Sequence, residues 1–187
     1  MKSRNTKERD IEQEKALRLR IGIAGLTIAV GMMFGADAIA ADGSAAPTTE
    51  FIFEETVLLG PSIPVGKTPF GDRNIVPIIG GTFAGPGIKG TIVPGGWDWQ
   101  LTTAGGCFKL QADYMIRTDD GAVINVVNKG TSCGDLAKPG ERIITVPVFE
   151  APVGRYAWLN SGAYLGTLDV LQLEGKPAVK IRFFKAQ

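Results

Sequence analysis

IGGTFAGPGIKGTIVPGGWDWQ, residues 79–100, holds seven glycines, two prolines and two tryptophans, with a single acid, Asp98, set between the tryptophans. Glycine reaches backbone angles that other residues resist, and proline interrupts strand ladders. A stretch so rich in both, yet still carrying Ile-Val and Trp-Asp-Trp, reads as short strands bent sharply around something. Along Trp97-Asp98-Trp99-Gln100, strand alternation sets both indoles on one face and Asp98 with Gln100 on the other. The Gly95-Gly96 pair before them allows a bulge that aims one side chain inward.

On either side the pattern continues in the same kind. Strands are predicted over 51–59, 73–79, 88–93, 97–103, 107–117, 122–128, 143–149, 155–161, 165–173 and 178–184, with 60–71 and 130–140 as loops. Turn signals separate them, and no segment after residue 40 shows helical periodicity. About ten short strands with such spacing mean an all-β sandwich or barrel. A single antiparallel β-barrel of about eight to ten strands is the expected fold, because closure removes the two exposed edges that an open sheet would leave. A barrel of that size holds at most one small ligand.

The N-terminus reads differently. Residues 1–20 carry seven basic and four acidic residues; an uncharged apolar run of 15 residues, 21–35, follows, and Ala38-Ile39-Ala40 has the small-x-small form of a secretory cleavage site. The run is shorter than the roughly 20 residues a membrane span needs. Residues 1–40 are therefore expected to be a signal peptide cleaved near Ala40, or alternatively an N-terminal anchor. Residues 41–50 would be a flexible lead-in and 51–187 the β-barrel domain, periplasmic or secreted, with no stable membrane insertion after cleavage. That mature part keeps 13 of the 20 basic and 14 of the 19 acidic residues. A net charge near −1 without a basic block argues against a nucleic-acid partner. The sequence leaves the oligomeric state open.

In an exported domain the only two cysteines point to a disulfide. Residues 107–117 alternate well, and Thr118-Asp119-Asp120-Gly121 is a turn signal before the next strand. If 119–121 form the loop, paired positions sum to about 240, which sets Cys107 opposite Cys133. A bond there closes a loop worth roughly 3 kcal/mol in the chain-entropy model.

No histidine occurs in the chain, which removes Ser-His-Asp and Cys-His nucleophile systems and most catalytic zinc sites. No metal-ligand cluster appears, and Gly80-Gly81 and Gly95-Gly96 precede no helix, so neither fits a nucleotide loop; no metal and no cofactor are expected. A carboxylate beside aromatic walls has its pKa raised by desolvation, which suits Asp98 to general acid/base work. The plainer reading makes it a surface aspartate with the tryptophans as core anchors. In a 155–161 strand, Tyr156, Trp158 and Asn160 share a face and can stack on and hydrogen-bond a planar ligand, or equally be ordinary core. Asp119-Asp120 can serve acid/base work or be turn chemistry. Arg73 flanks a strand and can point into a cavity or to solvent.

Four motifs in order, VPIIGGTFAGP (76–86), PGGWDWQ (94–100), TDDGA (118–122) and RYAWLN (155–160), resemble the domain-of-unknown-function 3237 family, also called uncharacterised protein family 0311. The resemblance runs from about residue 51 to 160 and beyond. It implies a compact antiparallel β-barrel. Most members have no assigned activity; fungal relatives are linked to stereoselective ring closure that adds a hydroxyl across an alkene in aromatic polyketides. Members usually carry a small residue where Trp97 stands, have a longer segment before the Phe149-Glu150 strand, and lack the cysteine pair.

The expected function is an exported barrel with an interior pocket for a small aromatic or polyketide-like molecule. Asp98 would carry cofactor-free acid/base cyclisation or isomerisation, Trp99, Tyr156 and Trp158 would be the stacking walls, and Asn160 would orient the ligand, with Arg73 and Asp120 as further contacts. The alternatives are a non-catalytic binding protein of lipocalin type and a structural envelope protein. Interior volume separates the last of these from the others.

Overall fold

The structure, a computed structural model, describes residues 46–134 and 141–187. The expected signal peptide or anchor, and the lead-in before residue 46, lie outside the described residues. Nine strands follow in order: β1 (Thr49–Leu59), β2 (Ile63–Thr68), β3 (Gly71–Gly85), β4 (Ile88–Thr102), β5 (Phe108–Thr118), β6 (Val123–Ser132), β7 (Ile143–Glu150), β8 (Tyr164–Leu173) and β9 (Lys176–Ala186). Every pairing is antiparallel. The order β1-β9-β8-β7-β6-β5-β4-β3 closes because β1 also pairs with β3, giving an eight-stranded barrel with β2 as an extra strand on β3.

Three differences from the sequence reading have local causes. Residues 88–93 and 97–103 are one strand, β4, whose register to β5 shifts between Val93 and Trp97, where Pro94-Gly95-Gly96 bulges it. The 60–71 loop contains β2, which folds back on β3 alone; an edge position tolerates Pro64. Residues 155–161 are not a strand: Ala157–Asn160 is a 3₁₀ turn. Gly154 and Gly162, both at positive φ, bracket it.

Strand direction gives the barrel two unlike ends. One gathers the β3–β4 and β5–β6 turns, both outer termini and the 151–163 segment. Here Phe53 is the hub of a ring cluster, 5.0 Å from Phe183, 5.5 Å from Phe83 and 5.8 Å from Phe149, with Tyr164 against Phe149 at 5.0 Å. These centroid spacings suit edge-on aromatic packing, and they fill that end. The other end gathers the β2–β3 and β8–β9 turns, Leu59, Leu110 and the two cysteines.

At that second end the β5–β6 register runs from Phe108↔Ser132 to Arg117↔Val123, summing to 240 throughout. Cys107 and Cys133 therefore face each other, Cα atoms 4.1 Å apart with sulfurs at disulfide distance. Replacing both with alanine is expected to remove about 3 kcal/mol and lower the melting temperature by about 10 °C. Calorimetry of oxidised wild type beside the double variant checks this, and equal melting would show the bond to be energetically idle.

Candidate functional site

Inside the barrel a polar layer interrupts the apolar lining. On β1 the inward positions are Phe53, Glu55, Val57 and Leu59, so a glutamate occupies a core register. Glu55 is 1% exposed. Its Oε1 accepts a hydrogen bond from the Tyr114 hydroxyl, which arrives from β5 across the lumen, while Oε2 has no partner among the described residues. Burial pushes the Glu55 carboxyl up from 4.5 to about 8, against the opposing pull of that hydrogen bond. Burial, then the neighbouring Glu55 and Asp98 charges, raise the Tyr114 hydroxyl as well.

Asp98 enters the same layer from β4. The alternation expected of Trp97–Gln100 is present, and the structure decides which face is inward. The indoles point out, 43% and 47% exposed, while Asp98 and Gln100 turn in. The tryptophans are thus not core anchors, and Asp98 is not a surface aspartate. Its Oδ2 accepts from Gln100 Nε2 at 2.8 Å, and Gln100 Oε1 accepts from Asn74 Nδ2 at 3.2 Å. Its Oδ1 is shut off from solvent without a partner among the described residues. Desolvation raises the Asp98 carboxyl above its ordinary value, and the Gln100 hydrogen bond offsets part of the rise.

Asn128 on β6 completes the layer, fully buried, with neither amide atom hydrogen-bonded among the described residues. Asp98, Tyr114 and Asn128 meet at one void walled by Val57, Ile78, Leu168 and Ile181. Gly96 makes room for it: a Cβ there would come within 2.4 Å of Tyr114 Cβ, displacing the tyrosine that holds Glu55. On the opposite wall, Gly81, at φ +138°, lets β1 and β3 touch, since a Cβ would fall 2.1 Å from the Thr56 carbonyl oxygen. The void measures about 30 Å³, which is room for one or two waters.

The remaining residues singled out from sequence lie elsewhere. Trp99 and Arg73 share a groove on the outer wall. Asp120 and Tyr156 sit at the opposite end of the barrel from Asp98. There the Tyr156 hydroxyl donates to Asp120 Oδ1 at 2.9 Å, and Arg155 pairs with Oδ2 at 3.4 Å. The hydroxyls of Thr118 and Tyr156 hold the Asp120 carboxyl below its usual value. Trp158 is half-buried against a surface cleft with Phe51, Pro86 and Lys185. Asn160 grips its own loop: its amide accepts from Ala151 N–H at 2.7 Å and donates to Ala151 C=O at 2.9 Å. In the 3₁₀ turn Tyr156 and Leu159 point inward, three apart, so the shared face of Tyr156, Trp158 and Asn160 does not form. Of the expected walls around Asp98, none is in place. Glu55, Tyr114 and Asn128 take that position, and each carried one legible signal, a polar group in an inward register.

The family described as "Protein of unknown function (DUF3237)" matches residues 47–186. A UPF0311 protein of Rhodopseudomonas palustris is 33% identical over 133 residues, covering 64% of this chain and 86% of its own. The crystal structure of a beta-barrel like protein from Acinetobacter baumannii superposes with a TM-score of 0.66 at 28% identity, over 76% of this chain and 98% of that one. The hydroalkoxylation enzyme phnH of Penicillium herquei is 30% identical over 121 residues, 65% of this chain and 74% of the fungal one.

Proposed function

Because the chain belongs to the DUF3237 family, whose match spans residues 47–186, we propose that its barrel interior is an acid/base site for a small aromatic or polyketide-like molecule, closing a ring or isomerising it without a redox step. The observation that carries this reading is the pair of buried carboxyls, Glu55 and Asp98, both raised in pKa and both facing Tyr114. Adding a hydroxyl across an alkene forms a C–O and a C–H bond while the π bond and the O–H bond break. The proton lost by oxygen balances the one gained by carbon, so one base and one acid suffice. Asp98 is suited to take the hydroxyl proton. Glu55, protonated below about pH 8, is suited to return one from Oε2, since Oε1 accepts from the Tyr114 hydroxyl and Oε2 has no partner among the described residues. The fungal relative's name supplies the reaction class; the substrate is unassigned.

The test is turnover of phenol-bearing alkenes by the purified chain, followed by chiral chromatography of the cyclic product. Conversion that is stereoselective in wild type and lost in Asp98→Asn supports the reading. Tight binding without conversion would favour a carrier of lipocalin type. Absence of both would leave a structural barrel.

We further infer that the protein works outside the cytosol, periplasmic or secreted. The apolar run over 21–35 and Ala38-Ile39-Ala40 support it, and the Cys107–Cys133 pair is compatible with an oxidising compartment. Intact-mass measurement of exported protein is expected to give a chain starting near Ala41; retention of residues 1–40 would refute cleavage.

A further inference from the structure

A groove of about 540 Å³ lies on the outside of the barrel, on the opposite face of the wall from the acid cluster. Alternation builds it. Trp99 and Leu101 from β4, Lys109 and Gln111 from β5, Lys129 and Thr131 from β6, and Ile144 and Val146 from β7 all point outward, with Arg73 of β3 paired beside Leu101. Cross-strand pairs fix the layout: Leu101↔Lys109, Lys109↔Thr131, Gln111↔Lys129 and Lys129↔Val146. Apolar side chains thus flank the groove on both sides, an indole on one, with Lys109 and Lys129 between them and Arg73 beyond β4.

Two features set this surface apart. Three cations, Arg73, Lys109 and Lys129, line it and no carboxylate does. Among the described residues none of the three is in an ion pair, whereas Lys89 and Arg155 in the cleft at the Asp120 end are already paired with Asp119 and Asp120. The Trp99 indole is half exposed without a stacking partner among the described aromatic pairs. At about 4.8 Å per strand, it lies about 5 Å across the sheet from Lys109's strand and about 10 Å from that of Lys129. A flat apolar body on the indole therefore brings an attached anion within reach of both lysine side chains.

We propose that this groove binds a small aromatic carboxylate, ring on Trp99 and carboxylate within reach of Lys109 and Lys129, with Arg73 strengthening the positive field. Nothing in it depends on the interior acid/base reading, and it stands if that reading fails.

The test is an amide-resonance titration of the isotope-labelled full chain with 2-naphthoate and with its neutral counterpart 2-naphthylmethanol, each to about 5 mM, where even weak sites begin to fill. Saturable shifts are expected at Trp99, its indole N–H, Gln111, Lys129 and Thr131 with naphthoate. The alcohol should bind several-fold more weakly, and added salt should weaken only the anion. The Lys109→Gln/Lys129→Gln double variant should lose roughly 3- to 10-fold in affinity, Trp99→Ala should lose affinity for both probes, and Lys89→Gln at the other end should change nothing. Equal binding of acid and alcohol, shifts centred on Asp98 and Tyr114, or no saturable shift would overturn the proposal. So would concentration-dependent self-association abolished by Trp99→Ala, which would make the groove an interface between copies.

Discussion

Glu55→Gln is expected to be about 5 kcal/mol more stable than the wild-type chain at pH 9 and nearly equal to it at pH 4.5. The folded protein holds the Glu55 proton up to about pH 8, while the unfolded chain releases it near 4.5. Between those values the folded state binds one more proton, so wild-type stability falls as pH rises. The contribution is whole below about pH 4.5 and gone above about pH 8, and a rise of this size is worth about 5 kcal/mol. Asp98, raised in the same sense, adds to the slope. Glutamine keeps an acceptor for the Tyr114 hydroxyl and carries no charge at any pH, so its stability should follow only the remaining groups. Denaturant unfolding at pH 5, 7 and 9 checks this, with the Cys107–Cys133 bond left intact. Parallel curves for the two proteins would mean that Glu55 ionises in the folded state as an ordinary carboxylate does.

Asp98→Asn should leave the fold and ligand affinity nearly unchanged and slow turnover by about 10²–10⁴-fold, the range for losing a general base. The asparagine keeps an acceptor for Gln100 Nε2, whose bond to Asp98 Oδ2 is 2.8 Å, so the Asn74–Gln100–Asp98 chain survives. Glu55 gives the complementary signature. As the acid it must stay protonated, so wild-type activity should fall on the alkaline side near pH 8, and that limb should vanish from the residual activity of Glu55→Gln. A drop in affinity with the rate at saturation preserved would make Asp98 a residue that only orients ligand. If neither quantity changed, the interior would not be the reacting site.

Side-chain parity is a local property, and the sequence carried it well. Strict alternation put Asp98 opposite the indoles, and the Thr118–Gly121 turn set a register that brings Cys107 to Cys133, because both depend only on a two-residue repeat and on where one hairpin bends. The same rule failed over 155–161. There the alternation of Tyr156, Trp158 and Asn160 imitates a strand, but glycines at both ends and the Asn160 clamp on Ala151 hold a 3₁₀ turn instead.

By itself, then, the sequence determined an all-β chain, its closure into a barrel, the hairpin register and the family. Only the tertiary structure decided which face of Trp97–Gln100 is inside. It also decided that Asp98 shares a void with Tyr114, the partner of Glu55, and with Asn128 rather than with Tyr156, Trp158 and Asn160. The reason is that β1 and β5 are not neighbours in the sheet: Glu55 and Tyr114 stand 59 residues apart and meet across the lumen. Contacts of that kind are created by closing the ring, and no pattern along a single strand records them.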